Sequence, residues 1–436
     1  MHVPHSLRVT TGILLVCAAT GCDESNRINE PSSAENASAT GGQFKFTPLA
    51  SSTACTVGGN AAQPFAIPAG FVQTIVASQA QVPAFDNWDM NTQNETGPQA
   101  GRFLYRTSEL TTNAGVTVTD LETGITQPLA QRADWQRFDG LVWTPWGTLL
   151  AAEETNPGSD PDVPQAKAGL VYEINPTTGA SVARPALGSK SHEGMRFDPE
   201  GNLYGISEGG PPSSGYIYRF VPDHSGDLSS GQLYAIKIVT PNADRTGEAV
   251  WIPLDRTAVQ VDADAEAKSE GATGYTRPED VEIATSGGNN GGGSNTLYVA
   301  VTGEDRVLGI DLREAGGGSE HSSAFVYDYV REGLNAPADF DLPDNLALDR
   351  NGNLFITEDP ATAPTTHLGD DIWTAAASGA GQHQAAPSIL RFASLTDCNA
   401  EPTGIYFDVH DWALYVDAQH RGGDGNDLAV KIQPAE

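Results

Sequence analysis

The stretch Asp344-Asn345-Leu346-Ala347-Leu348-Asp349-Arg350-Asn351-Gly352-Asn353-Leu354-Phe355-Ile356-Thr357-Glu358-Asp359 decides the fold. An acid opens it, a short apolar run follows, a glycine-centred turn reverses the chain, and a second apolar run ends in acids. Apolar runs of this length bounded by Asn, Asp and Gly read as the two strands of a hairpin. The same order recurs in Asp139 to Glu154 and in Glu193 to Glu208. A fourth copy opens at Glu279-Asp280 and resumes at Thr296 to Ala300, its turn lengthened by a Gly/Asn loop from Gly287 to Asn295. A weaker fifth runs from Thr403-Gly404-Ile405-Tyr406-Phe407 to Leu414 through His420.

Hairpins repeated at intervals of roughly 55 to 85 residues predict an all-β chain, a β-propeller with one such hairpin as the inner half of each blade. Six blades are expected. Gly169 to Ile174, Gly215 to Phe220, Arg306 to Asp311 and Ser388 to Phe392 read as outer strands. The spacing exceeds a minimal blade, so long loops are expected on the top face, notably within 209–275 and 306–340. Helical periodicity is scarce, and the best candidate, Asp262 to Glu270, reads as an acidic surface excursion.

In a hairpin the start of the first strand and the end of the second share one end. The opening and closing acids of every repeat therefore fall on one mouth of the channel. Asp139, Glu153, Glu154, Glu193, Glu208, Glu279, Asp344, Glu358 and Asp359 would form a carboxylate ring there. Like charges gathered this closely need cations or retained protons. The competing reading makes the closing acids surface turn formers. Arg277-Pro278-Glu279 adds a guanidinium to the same position, because proline biases its predecessor toward extended geometry and presents both charges at the strand's entrance. Arg277 is the expected anion clamp, against a plain surface salt bridge; His192 is a second candidate, for orienting a ligand or binding phosphate, against a hydrogen-bonded loop histidine.

The chain has 436 residues, a formal net charge of −32 and 18% charged residues. Nothing in that balance neutralises nucleic-acid phosphates. His2, His5 and Arg8 precede the apolar run Ile13 to Ala19, which is too short to span a membrane. It ends in Ala19-Thr20-Gly21-Cys22, which resembles a bacterial lipoprotein signal with Cys22 as the lipid anchor. A plain cleaved secretory signal is the alternative, and either exports the protein, to the periplasm or the cell surface. Expected domains are a signal over 1–21, a flexible Ser/Asn/Ala/Gly-rich tether over 22–62 and the propeller over 63–436. An exported chain with two remaining cysteines is expected to pair them, Cys55 with Cys398. A monomer that touches the membrane only through its lipid is expected.

His192-Glu193, Thr276-Arg277-Pro278-Glu279, Trp146-Gly147-Thr148 leading to Glu153-Glu154, and Gln419-His420 together resemble the PhoX-type alkaline phosphatases, from about residue 88 to 425. The resemblance implies a propeller whose mouth holds a calcium-rich cluster with ferric iron and hydrolyses phosphate monoesters outside the cytoplasm. Carried over, Glu193 and Glu279 are similar to carboxylate ligands of the iron pair, and Arg277 to the arginine that grips the substrate phosphate. Glu208 stands where the family usually has an aspartate. Ala152 stands where the family has an iron-ligating cysteine, and alanine cannot imitate a thiolate. An all-oxygen site is left, suited to Ca²⁺ and open to Mg²⁺ or Mn²⁺, with iron disfavoured.

The expected function is thus an exported metal-dependent phosphoric-ester hydrolase acting on small phosphate esters. A lactonase or other ester hydrolase on the same scaffold, and a non-catalytic calcium-binding propeller, are the alternatives. The run Gly422-Gly423-Asp424-Gly425-Asn426-Asp427 offers either a cation loop or a solvated turn. No His-Glu-x-x-His helix or Walker loop occurs in the sequence.

Overall fold

The computed structural model describes residues 45–155, 160–284, 295–312, 323–360, 368–377, 383–410, 413–423 and 425–435. The signal segment, Cys22, Asp424 and most of the Gly287 to Asn295 loop lie outside them. The described strands form six antiparallel blades. Their innermost strands are Trp88–Gln93, Phe138–Trp143, His192–Phe197, Pro278–Ala284, Pro343–Leu348 and Glu401–Phe407. Each packs against the next and the sixth against the first, so the ring closes. The β-propeller expected from the repeat is the fold.

Closure uses both ends of the folded chain. Phe71–Ser78 forms the outer strand of blade 6, antiparallel to the C-terminal strand Leu428–Pro434. Phe65–Ala66 adds a fifth strand to blade 5 by pairing with Ile389–Leu395. The Cys55–Cys398 disulfide spans a sequence separation of 343 residues. In the chain-entropy account a loop that long stabilises the fold by about 5 kcal/mol.

Because blades pack face to face, both faces of most strands are apolar. Val142, Leu150 and Val171 of blade 2 meet Met195, Leu203 and Tyr218 of blade 3 in one buried cluster. Tyr298 and Val307 of blade 4 meet Leu346, Ile356 and Trp373 of blade 5 in another. The core is therefore distributed between blades rather than gathered at a centre.

Three expectations are corrected. Much of 209–275 and 306–340 is not loop but outer sheet: besides the expected strands, found at Ile217–His224 and Arg306–Leu312, it holds Asp227–Ile238, Gly247–Pro253 and Ser323–Arg331. Gly247–Pro253 pairs on both sides and joins blades 3 and 4 into one sheet. The helix runs Val259–Ser269 and buries Val259, Ala263 and Ala267 in the core between blades 2 and 3, so it packs rather than wanders. Residues 45–62, assigned to the tether, lie against blade 5: Phe46 is buried edge-on to Phe392, and Ser52 donates to Asp371 at 2.7 Å. Their Ser/Ala/Gly composition hid a strap whose anchors are Phe46, the Ser52 hydroxyl, Cys55 and backbone hydrogen bonds.

Neighbouring inner strands approach closely enough to exclude side chains. A Cβ on Gly194 would lie 1.7 Å from Asp280 Oδ1, and one on Gly140 2.3 Å from the Glu193 carbonyl oxygen. Gly194→Ala should therefore lower the urea unfolding free energy by about 1 to 3 kcal/mol, the usual cost of overpacking. An unchanged midpoint would mean that the ring has slack at this contact.

Candidate metal and anion site

Each inner strand carries the same irregularity. Between Trp88 and Asn91, Phe138 and Leu141, His192 and Met195, Pro278 and Val281, Pro343 and Leu346, and Thr403 and Tyr406, two residues oppose one on the partner strand. Such a β-bulge re-aims the extra side chain out of the strand's alternation. The first bulge residue is Asp89, Asp139, Glu193, Glu279 and Asp344 in blades 1 to 5, and Gly404 in blade 6. The opening acids are bulge residues, which is why they leave the blade and face one another.

A second device aligns the closing acids. The backbone N–H groups of Glu109, Glu154, Glu208 and Asp359 donate to the carbonyls of Asn87, Arg137, Ser191 and Leu342 at 2.8 to 3.1 Å. Thr302 does the same to Arg277 at 2.8 Å in blade 4. Asn87, Arg137, Arg277 and Leu342 all adopt positive φ, of 53°, 42°, 50° and 40°. Arg277 is thus left-handed, not extended as its proline neighbour predicts, and it shares that conformation with the matching residues of blades 1, 2 and 5.

The resulting mouth gathers Asp89, Glu109, Asp139, Glu154, Glu193, Glu208, Glu279, Asp344, Asp359 and Glu401. Burial, then Asp139 and Glu279, hold the Glu193 carboxyl well above its usual range. Burial, Glu109 and Glu208 push Glu154 up to about 9. Asp89, Asp139, Glu279, Asp344 and Glu401 are raised by burial and by one another. Asp89, Glu109 and Glu401 were missed in the sequence. Asp89 and Glu109 belong to blade 1, whose hairpin lacks the compact acid–turn–acid spacing. Glu401 precedes the bulge and compensates for Gly404, which supplies no acid.

Arg277 sits among these carboxylates. Its Nε donates to Glu208 Oε1 at 3.0 Å, Nη1 donates to Asp359 Oδ2 at 2.8 Å, and Nη2 lies 2.9 Å from Glu279 Oε1. Burial opposes its charge, but Glu279, Asp359 and Glu208 outweigh it and hold the guanidinium above its ordinary pKa.

Three of the expected site residues fall elsewhere. Glu153 accepts from the N–H groups of Gln136 and Leu170 at 3.0 and 3.1 Å, and so pins two loops rather than facing the mouth. Glu358 accepts from Asp341 N, Trp373 Nε1 and Asp371 N at 3.2, 2.6 and 2.9 Å, the same role in blade 5. In the acid pairs, then, the first locks backbone and only the second reaches the cluster. His192 occupies the position filled by Trp88, Phe138, Pro278 and Pro343 in other blades, a packing slot. It is buried, with Nδ1 3.0 Å from Lys190 Nζ and Nε2 2.9 Å from the Gly188 carbonyl oxygen. Burial and Lys190 hold its pKa well below the usual range, so it is neutral and turned away from the site. Asp427 likewise serves structure, accepting from Trp88 N and His420 N at 2.8 and 3.0 Å.

The oxygens fit a hard cation. One ligand oxygen each from Glu154, Glu193 and Glu208 lies within 4.8 Å of the others. Oxygens bound to one Ca²⁺ at 2.3–2.6 Å are at most about 5 Å apart. Glu279 Oε1 is buried and accepts no directed hydrogen bond, leaving a lone pair for a further ligand. Ala152 is fully buried in the apolar cluster between blades 2 and 3 and offers no donor atom. With Cys55 and Cys398 bonded to each other, no cysteine among the described residues is free to supply a thiolate.

Sequence comparison adds to this geometry. Residues 142–333 match the family model described as alkaline phosphatase PhoX. The structure of Pseudomonas fluorescens PhoX in complex with vanadate, described as a transition state analogue, superposes with a TM-score of 0.65. It shares 17% identity and covers 89% of this chain and 98% of that one. A gluconolactonase from Xanthomonas campestris aligns at TM-score 0.48 and 11% identity, covering 89% of this chain and 100% of its own. No curated protein matches the sequence. The resemblance to the PhoX-type alkaline phosphatases is borne out, and the structural likeness, at this identity, speaks for the shared fold.

The raised carboxyls give a stability signature. The folded Glu154 holds its proton to about 9 against an ordinary 4.5, so its contribution is full below the lower value and is lost as pH rises through the higher. Without divalent cations the melting temperature should fall steadily across that window. Saturating Ca²⁺ should restore it most at the alkaline end, because the cation takes the place of protons. A cation-free melting temperature flat over this range would contradict the clustering.

Proposed function

We propose that this protein is an exported, metal-dependent phosphoric-ester hydrolase of PhoX type, acting on small phosphate esters at the propeller mouth. The observation that carries the reading is the convergence of Arg277 with Glu208, Glu279 and Asp359 beside the Glu154–Glu193–Glu208 triplet. The family match over residues 142–333 supports the same chemistry. Ca²⁺ is the favoured cation, Mg²⁺ and Mn²⁺ are admissible, and the absence of a cysteine at Ala152 weighs against iron. The disulfide accords with export, and Cys22 is proposed as a lipid anchor.

In this reading Glu154, Glu193, Glu208, Glu279 and Asp344 hold the metal, with Asp359 beside them. A bound divalent cation would supply charge neutralisation at the phosphoryl oxygens and acidify an attacking water. Arg277 supplies the planar fork that matches two phosphoryl oxygens. Its three carboxylate contacts hold that fork in the cluster, and a phosphate arriving there would replace part of them. Asp89, Asp139 and Glu401, with pKa values raised, can hold or release protons as the charge of the site changes. Glu153 and Glu358, by fixing the loops, keep Glu154 and Asp359 aimed inward.

Two measurements test this. With Ca²⁺ supplied, an aryl phosphate should be hydrolysed, and Arg277→Asn should lower kcat/KM by about 10² to 10³. Asparagine is the chosen substitute because Asn87 holds the equivalent left-handed position in blade 1. Elemental analysis should give calcium and no stoichiometric iron. Failure to turn over any phosphate ester with any of these cations would end the hydrolase reading.

A further inference from the structure

The repeat places a second arginine at the mouth. Arg137-Phe138-Asp139 in blade 2 corresponds residue by residue to Arg277-Pro278-Glu279 in blade 4. Both arginines adopt positive φ, 42° and 50°, and both lie before a bulge acid. Both carbonyls accept the N–H of their blade's closing residue at 2.8 Å, Glu154 for Arg137 and Thr302 for Arg277. Blade 3 lies between them and carries Glu193 and Glu208. The triplet of Glu154, Glu193 and Glu208 is thus flanked by one guanidinium on each side.

The two differ in commitment. Arg277 is engaged by three carboxylates at 2.8 to 3.0 Å. The Arg137 side chain is 45% exposed and lies 3.6 Å from Glu154 Oε1, an ion pair too long for a hydrogen bond. Among the described residues its guanidinium makes no other ion pair and donates no hydrogen bond. A cation taken up by Glu154 would weaken even that attraction and leave all the Arg137 donors for a ligand. An exposed, uncommitted guanidinium on the rim of an acidic mouth serves a negative group that Arg277 does not reach.

We infer that Arg137 is a second anion-binding residue of the site and gives it a preference for substrates with two anionic groups. These would be bisphosphates or diphosphate esters, the reacting phosphoryl on Arg277 and the outer anion on Arg137. This rests on the hydrolase reading proposed above. A lone phosphate monoester makes only the first contact. A charge-assisted bidentate contact is worth about tenfold or more in binding.

The test compares Arg137→Asn with the unaltered protein, both with Ca²⁺, on a hexose monophosphate and a hexose bisphosphate. Asparagine keeps the left-handed backbone, as Asn87 does in blade 1. The unaltered protein should favour the bisphosphate in kcat/KM, and the substitution should lower that preference about tenfold. Arg137→Lys should restore part of it. Independently of turnover, the bisphosphate should raise the melting temperature more than the monophosphate, and Arg137→Asn should erase the difference. If neither ester is hydrolysed, the hydrolase reading fails while the melting shifts still decide the role of Arg137. Equal losses for both esters, or a preference untouched in turnover and melting alike, would overturn the inference.

Discussion

Like charges brought together in a low-dielectric mouth repel strongly, and this repulsion is the constraint around which the propeller's active face is organised. Asp89, Asp139, Glu193, Glu279 and Asp344 are aimed at one another by bulges that the fold repeats blade after blade. A single surface acid can relax into solvent. These cannot, because each is fixed by a bulge, and the closing acids by a backbone hydrogen bond to the residue that enters the same blade. The chain's own answer is Arg277, one guanidinium against many carboxyls. Protons take up part of the remainder, as the raised pKa values express, and a divalent cation would take up more.

The bulge also explains the division of labour within acid pairs. A residue directly before the closing position stays in the strand's alternation and points into the blade. Glu153 and Glu358 there are surrounded by backbone N–H groups that would otherwise go unsatisfied as the loops enter the third strands. Ser207 in blade 3 uses its hydroxyl for a similar purpose, donating to Asp264 at 2.7 Å and accepting from Tyr216 N at 3.0 Å. The following residue, freed from the sheet, reaches the mouth. One residue of offset therefore separates an acid that pins backbone from one that faces the mouth.

That offset marks the boundary of what was legible in the sequence. The hairpin repeat carried the fold, the six-blade ring and the convergence of acids, because strand alternation and turn chemistry are local. For the same reason it put Glu154, Glu193, Glu208, Glu279, Asp344, Asp359 and Arg277 at one mouth, where the structure also gathers them. It misplaced Glu153, Glu358 and His192 because adjacency in sequence was read as adjacency in space. The clue for His192 was present, since Trp88, Phe138, Pro278 and Pro343 show its slot to be apolar. Blade 1 went unread because its two inner strands, Trp88–Gln93 and Phe103–Ser108, are separated by a longer turn. Residues 45–62 went unread because a strap held by a disulfide and backbone bonds needs few apolar side chains.

Ala152 shows how one position can redirect a site without disturbing its frame. It lies opposite the bulge of blade 2, the place held by Thr107, Ile206, Ala300, Thr357 and Val416 in the other blades. Those residues are chosen for packing or for tying neighbouring inner strands, as Thr107 does by donating to the Asp139 carbonyl at 2.9 Å. A thiolate is a soft anionic donor that biases a site toward a transition metal. A methyl group closes the apolar packing instead, and every remaining donor is a carboxylate oxygen. Such a site discriminates by cavity size, ligand number and charge, the terms on which Ca²⁺ is distinguished from Mg²⁺. In the hydrolase reading proposed above, the carboxylates outnumber the one guanidinium among them, so cation binding and the binding of an anionic ester would be coupled through the same oxygens. In that reading cation binding would draw on the carboxyls that engage Arg277 and free part of its planar fork for an anion.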